Sequence, residues 1–248
     1  MKLRFLLRAF KARYRDQCGE IRAVLDSLRP GDQAVDIGAY KGAYLYWLRR
    51  AVGPQGEVFA FELQPRLVQY LESICAAMKW DNVQVCDCAV SDATGMRTLN
   101  VPGDGVSPGA SLGQVVADDT PCHSYECAVD TLDRHLQDAG RIAFLKVDAE
   151  GHELQIFRGA AGILSRCAPV ILFECEVRHL STHSMDDVFS HLQHLGYEGE
   201  FFSPRGLRPL NEFDPTVHQK HRSERFWDAP DYCNNFLFRP RRTARTSR

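Results

Sequence analysis

Short apolar runs alternate with longer stretches of helical period through most of this chain. The runs at 34–37, 58–61, 83–86, 142–147 and 170–173 are dense in Val, Ile, Leu and Phe, which predicts short strands buried on both faces. Between them, 43–52, 65–78 and 185–195 place apolar residues three and four apart and predict helices. Gly53-Pro-Gln-Gly56 ends the first of these, and Gly196 caps the third. Pro65 suits the first turn of the second, where its missing N–H is not needed. Another helix begins at 131–136, and 197–202 with 235–238 predict a closing antiparallel pair. Strand and helix taking turns in this way predict an α/β fold on a mostly parallel sheet. Ahead of it, 3–28 predicts one long helix, with Leu3, Phe5, Leu6, Leu7, Phe10, Ile21, Val24, Leu25 and Leu28 as its apolar positions and Pro30-Gly31 as its stop. That helix is expected at the sheet edge or over the mouth of a site.

One stretch breaks the rhythm. Residues 91–119 are rich in Gly, Ser, Asp and Pro and leave the third strand on the side of the sheet where ligands bind. Long polar inserts in compact domains are usually either functional lids or disordered. Because this one leaves the strand that borders the ligand side, it is expected to be a loop facing substrate, with Ser111 among its contacts.

The candidate chemistry sits at the strand ends. Val35-Asp-Ile-Gly-Ala-Tyr-Lys-Gly42 is a buried strand that ends in an acid and opens a helix through a Gly-x-x-x-Gly turn. Gly38 and Gly42 suit a turn that brings main chain close to a ligand, because glycine has no Cβ and tolerates positive φ. The spacing differs from the Gly-x-Gly-x-x-Gly of pyrophosphate binders, and the Asp36 carboxylate would repel a pyrophosphate. The same charge favours the ammonium or sulfonium end of S-adenosylmethionine. Glu62 closes the second strand, 24 positions beyond Gly38, where an acid can accept from both hydroxyls of a ribose. Asp87 and the Cys88–Ala89 backbone follow the third strand and are expected at the adenine edge. The cofactor set read from sequence is therefore Asp36, Gly38, Gly42, Glu62, Asp87 and Ala89, with S-adenosyl-L-methionine as cofactor.

A second dense motif is Leu145-Lys-Val-Asp-Ala-Glu-Gly-His-Glu153. Asp148 comes off a strand end, Gly151 allows a sharp bend, and 154–157 continues as helix. His152 titrates near neutrality and is the natural general base, with Asp148 as its orienter or alternative. Glu150, and Glu174 at the end of the next strand, are expected on the substrate side. His179, His183, His191 and His194 lack a flanking His-Glu-x-x-His pattern and are read as surface residues. No metal is expected.

Size and charge narrow the classes. With 248 residues and 44% hydrophobic content the chain suits one sizeable domain. A net charge of −2 makes it no general trap for nucleic acid. The charge is uneven: residues 1–15 hold six Lys or Arg and no acid, and the last ten residues hold five Arg. Such ends suit a solubilising role first, and otherwise weak contact with a membrane surface, an anionic substrate or a polyanion. Nine cysteines, an odd number with no Cys-x-x-Cys, suit reduced thiols in the cytoplasm. No run of 18 apolar residues is present.

Taken with Phe59-Ala-Phe-Glu-Leu-Gln-Pro65, Cys88-Ala-Val-Ser-Asp92, Thr131-Leu-Asp133, Arg158-Gly-Ala160 and Ile171-Leu-Phe-Glu174, these motifs resemble the FkbM-type S-adenosylmethionine-dependent methyltransferases. The resemblance runs from about residue 33 to 240. It implies a class I methyltransferase (Rossmann-like) fold, an α/β architecture with a mostly parallel seven-stranded sheet and helices on both faces. It also implies methylation of a hydroxyl on a sugar or a natural-product small molecule. Residues 1–32 then form a basic helical extension, 33–240 the methyltransferase domain and 241–248 an Arg-rich tail. Two other classes fit parts of the pattern: an NAD-dependent oxidoreductase, and a non-catalytic module that keeps the pocket and binds a membrane or partner through its basic ends. The oligomeric state has no sequence signal.

Overall fold

Alternation of side chains along each strand decides this architecture. In the computed structural model, which describes residues 1–103, 105–112, 122–220, 226, 229 and 231–241, the strands in chain order are β1 (Gln33–Ile37), β2 (Glu57–Phe61), β3 (Val83–Cys86), β4 (Ala89–Val90), β5 (Gly95–Pro102), β6 (Ser111–Leu112), β7 (Cys122–Asp130), β8 (Ile142–Val147), β9 (Val170–Glu174), β10 (Tyr197–Ser203), β11 (Gly206–Pro209) and β12 (Asn235–Pro240). The helices are α1 (Lys2–Lys11), α2 (Cys18–Ser27), α3 (Ala43–Val52), α4 (Pro65–Met78), α5 (Leu132–His135), α6 (Glu153–Gly159), α7 (Ala161–Cys167), α8 (Met185–His194) and α9 (Pro215–His218).

The larger sheet runs β11-β10-β12-β9-β8-β1-β2-β3. Its five strands from β3 to β9 are parallel, and β12, β10 and β11 continue it antiparallel. Seven of these are the expected strands; the eighth, β11, is the return arm of a hairpin on β10. Val35, Ile37, Phe59, Phe61, Leu145 and Val147 face α5 to α8 in one core layer. Ala34, Val58, Ala60, Phe144 and Leu172 face α2 and α3 in the other. The chain leaves β1 toward β2 and β3 on one side, and β8 and β9 lie on the other. The β1–β8 boundary is thus the switch point where open α/β sheets bind ligands.

Two expectations are corrected. The insert read as a polar loop contributes two strands, β5 and β6, which join the flanking β4 and β7 in a second sheet of order β4-β7-β5-β6, with its own small core of Ala89, Leu99, Val101, Cys127 and Val129. Composition hid β5 because its buried residues, Leu99 and Val101, alternate with polar ones; residues 113–119 of that insert lie outside the described residues. The long N-terminal helix is broken. A π-helical turn over Ala12–Asp16 follows α1, and Gln17 leaves helical geometry at φ −137° before α2 begins. The signal was the gap between Phe10 and Ile21, which carries no large apolar residue on the inner face. The tail beyond Arg241 lies outside the described residues.

Helix α1 rests on α3 and α4. Phe5 is fully buried, meets Tyr46 and Trp80 edge to face, and lies under Gly42, where a Cβ would come within 2.8 Å of its ring. Trp47 Nε1 donates to the Ala9 carbonyl at 2.8 Å. A helix bonded in this way belongs to the same cooperative unit as the sheet. Phe5→Ala should therefore cost about 3–5 kcal/mol of unfolding free energy, measured by urea denaturation. A loss below about 1 kcal/mol would make α1 an appendage.

Candidate active site

A cleft of about 790 Å³, counted with the solvent space at its mouth, opens at the carboxyl ends of β1, β2 and β8. Its floor is the turn after β1. Gly38 N and Ala39 N both donate to Phe61 O at 3.0 Å, and Asp148 N donates to Ile37 O at 3.1 Å, so the turn is stitched to both neighbouring strands. Gly38 has φ +73°, and a Cβ there would stand 2.0 Å from the Asp148 carbonyl oxygen. Its glycine is required by protein packing at the switch point as well as by the turn. Tyr40 is held at φ 47° and Glu150 at φ 50°, two non-glycine residues in the left-handed region. Both line the cleft, and strain of this kind gathers at functional sites.

Glu62 lies at the β2 tip and lines the cleft. Its Oε2 accepts from Tyr40 N at 2.8 Å, and its Oε1 accepts from Leu63 N and Gln64 N at 2.9 Å. A carboxylate offers about four acceptor positions, so these three bonds leave about one, on Oε2. That suits one ribose hydroxyl, where two were expected. Burial pushes the Glu62 carboxyl up, against the backbone donors that hold it down.

The walls are apolar: Phe61, Leu63, Ala89, Val90, Leu99, Leu112 and Ile156 line them. Leu99 and Leu112 come from the second sheet. Gln64 fastens the 105–110 segment over the site, donating to Ser107 O at 2.8 Å and accepting from Ser107 N at 2.9 Å. The insert thus walls this cleft through Pro108, Ala110 and Leu112. Ser111 is buried and absent from the lining, because strand alternation turns it away from its two neighbours.

Other expected residues are elsewhere. Asp36 is fully buried and outside the cleft. Ile37 points into the cleft, so the residue before it points to the opposite face of the sheet. There its Oδ1 lies 3.6 Å from Lys146 Nζ. Gly42 caps α3 at φ +74° and packs on Phe5 and Leu71, away from the cleft. Asp87 is exposed to solvent, and the cleft meets Cys88, Ala89 and Val90 instead.

Lys146 was not anticipated. Its Nζ is 3.1 Å from Gly38 O, 3.4 Å from Ile37 O and 3.3 Å from Asp148 Oδ2, and it lies over the Tyr44 ring at 5.2 Å. Burial alone would lower its pKa, but Asp148 and Asp36 hold it above the ordinary lysine value. A lysine inside the apolar run 142–147 was the signal available in the sequence.

Asp148 borders both this cleft and a smaller recess of about 200 Å³. Gln17, Tyr44, Lys146, Glu174 and Asn235 line that recess. Glu174 accepts from Asn234 Nδ2 at 2.9 Å, and burial, reinforced by Asp148, pushes its carboxyl well up. Burial would also raise Glu176, but Arg178, Glu174 and Tyr232 hold it down at about 2. Arg178 bonds both of its oxygens, at 2.6 and 3.0 Å. Burial on Glu174 and the Arg178 pairing of Glu176 thus push the two carboxyls in opposite directions.

His152 lines the cleft, but its Nε2 is engaged with Ser91 Oγ at 2.9 Å. Burial, helped by Arg97, pushes it down to about 4, and the Ser91 contact occupies the ring nitrogen that would take a proton. The base role expected of it does not suit this environment. Glu150 lines the cleft and pairs with His179, a half-buried partner that sequence reading had left on the surface.

Among known proteins, a family model described as the methyltransferase FkbM domain matches residues 36–198. The solved structure of methyltransferase FkbM from Methylobacillus flagellatus KT is similar at 16% identity and a TM-score of 0.53, covering 96% of this chain and 54% of that one. The chain therefore spans about half the length of that relative, and the likeness is one of fold. An S-adenosylmethionine-dependent O-methyltransferase from Thermotoga maritima gives 17% identity and a TM-score of 0.49, covering 93% and 67%. None of the curated proteins compared with the chain matches it.

The turn after β8 carries a pH dependence. Glu153 is buried, and its Oε1 accepts from Ala149 N and Gly151 N at 3.3 and 3.1 Å. Burial raises its carboxyl from 4.5 to about 7. The folded state therefore holds a proton that the unfolded chain has lost, and stability falls as pH climbs through that window. Glu153→Gln keeps an acceptor oxygen and removes the titration. Its melting temperature should exceed wild type by at least about 2–4 °C at pH 8, the equivalent of about 1 kcal/mol, and by less near pH 5. Equal differences at both pH values would refute the assignment.

Proposed function

We propose, for a chain that belongs to the FkbM methyltransferase family, that it transfers a methyl group from S-adenosylmethionine to a hydroxyl of a sugar or natural-product small molecule. The observation that carries this reading is the cleft at the β1–β8 switch point, with Glu62 keeping an acceptor position beside apolar walls. These residues fit the cofactor: a carboxylate for a ribose hydroxyl, apolar surface for adenine, and the backbone of Cys88 to Val90 for its edge. The bound cofactor would supply an electrophilic methyl on a sulfonium. The missing Gly-x-Gly turn and the family both stand against a nicotinamide cofactor. Nine free thiols, six of them buried, favour the cytoplasm.

We assign the acceptor hydroxyl to the recess beyond Asp148, where Glu174, Asn235 and Gln17 supply polar lining. Asp148, shared by the two cavities, takes the hydroxyl proton as that oxygen attacks. Lys146 fixes its carboxylate through the 3.3 Å contact. Holding acceptor and methyl in line is expected to supply most of the acceleration, roughly 7–11 kcal/mol. A carboxylate beside the sulfonium stabilises charge that fades during transfer, so Asp148 contributes by moving the proton.

Glu62→Ala should weaken S-adenosylhomocysteine binding at least about tenfold, or 1.4 kcal/mol, in titration calorimetry. Unchanged affinity, or thermal stabilisation by NADH in its place, would remove the reading. Asp148→Asn should lower kcat by about 10²–10⁴ on the acceptor identified by labelled methyl transfer. Its cofactor affinity should stay within about threefold of wild type. A variant with full kcat would return the proton to another group.

A further inference from the structure

Helix α1 has two apolar faces: one is buried by the fold, and the other is largely exposed, with Phe10 at its edge also meeting Tyr46 and Trp47 of α3. Phe5 and Ala9 face inward and are fully buried. At about 100° per residue, Leu3, Leu7 and Phe10 fall within an arc of roughly 60° on the other side. They are 69%, 61% and 42% exposed, and Tyr14, stacked on Phe10 at 6.0 Å, extends the stripe at 69%. Large apolar side chains in a row on a surface mark an interaction site.

The cations frame this stripe. Arg4 and Lys11 lie along one margin of the helix and Lys2 along the other, and all three are exposed. From residue 1 to 16 the segment holds Lys2, Arg4, Arg8, Lys11, Arg13 and Arg15 against the single acid Asp16, which pairs with Lys11 and Arg15. Six cations less one acid leave a charge of +5 on a protein of net −2. A second copy of the chain is a poor occupant, since facing stripes would bring two such charged margins together. An acidic lipid surface satisfies both features at once. Apolar side chains enter the acyl boundary, the aromatic pair sits at headgroup depth, and lysine and arginine meet the phosphates.

We propose that the outward face of α1 is a docking surface for membranes rich in anionic lipid, holding the protein in the plane of the interface without crossing it. No helix among the described residues is long and apolar enough to span. The geometry keeps docking and folding separate, because Leu3 and Leu7 are outside the contacts that bind α1 to α3. Charge alone would give weak attachment; the apolar stripe gives it a defined orientation.

The test is flotation of the full chain with vesicles of phosphatidylglycerol and phosphatidylcholine, beside vesicles of phosphatidylcholine alone. Binding should be at least tenfold stronger to the anionic vesicles and should fall as salt rises. Leu3→Glu with Leu7→Glu should reduce it at least tenfold while the melting temperature and circular dichroism stay at wild-type values. Lys2→Glu with Arg4→Glu should abolish the preference for anionic vesicles. Equal flotation of wild type and both variants would overturn the proposal. So would a dimer in sedimentation velocity that Leu7→Glu dissolves, with no vesicle binding by the wild type.

Discussion

One ammonium group ties the two chemical motifs of this protein together. Lys146 Nζ reaches the carbonyls of Ile37 and Gly38, the Asp36 carboxylate and the Asp148 carboxylate. A buried cation costs several kcal/mol unless it is paired and hydrogen-bonded, and removing one partner leaves that cost uncompensated. The glycine turn after β1 and the acid at the end of β8, more than a hundred positions apart in the chain, are therefore held in one arrangement. Asp36 is buried inside the protein, and of the two acids beside Lys146 only Asp148 lines the cavities.

Strand alternation then divides the functional space. On one face of the sheet Ile37, Phe61 and Ile156 make an apolar cleft; on the other Tyr44, Lys146 and Glu174 make a polar recess. Asp148 stands at the strand end, where the two faces meet, and borders both. The second sheet closes the cleft from above with Leu99 and Leu112, and the Gln64–Ser107 pair fastens that wall to the β2 tip. A site assembled from two sheets excludes water over its apolar half and keeps titratable groups at the rim. Burial then sorts those groups by protonation: Glu174 upward, His152 downward, Glu176 held low by Arg178.

The N-terminal segment joins fold and surface on one helix. Its inner side supports the glycine turn, with Phe5 beneath Gly42 and Arg8 donating to the Lys41 carbonyl at 3.2 Å. Its outer side is apolar and cationic. A purely solvated helix would carry polar residues there; Phe10 reaches back to Tyr46 and Trp47, while Leu3 and Leu7 stay exposed.

Much of the fold was legible because local patterns agree with it. The spans of α3, α4, β3 and β8 follow from apolar runs, breakers and a first-turn proline, all read within a few residues of where they act. The family motifs and the position of Glu62 were also fixed at that level, since a strand end delivers its acid to the switch point whatever surrounds it. Tertiary structure alone decided which acids are available: Asp36 and Ile37 are neighbours in sequence but face opposite sides, and only the register β1 shares with β8 sets Asp36 opposite Lys146. It also decided that a polar insert contributes strands to a second sheet and that Ser111 turns away from the cleft. Burial lowered the pKa of His152 and raised that of Glu174. Those outcomes rest on contacts between distant segments and on loss of solvent, neither of which a linear pattern of residues contains.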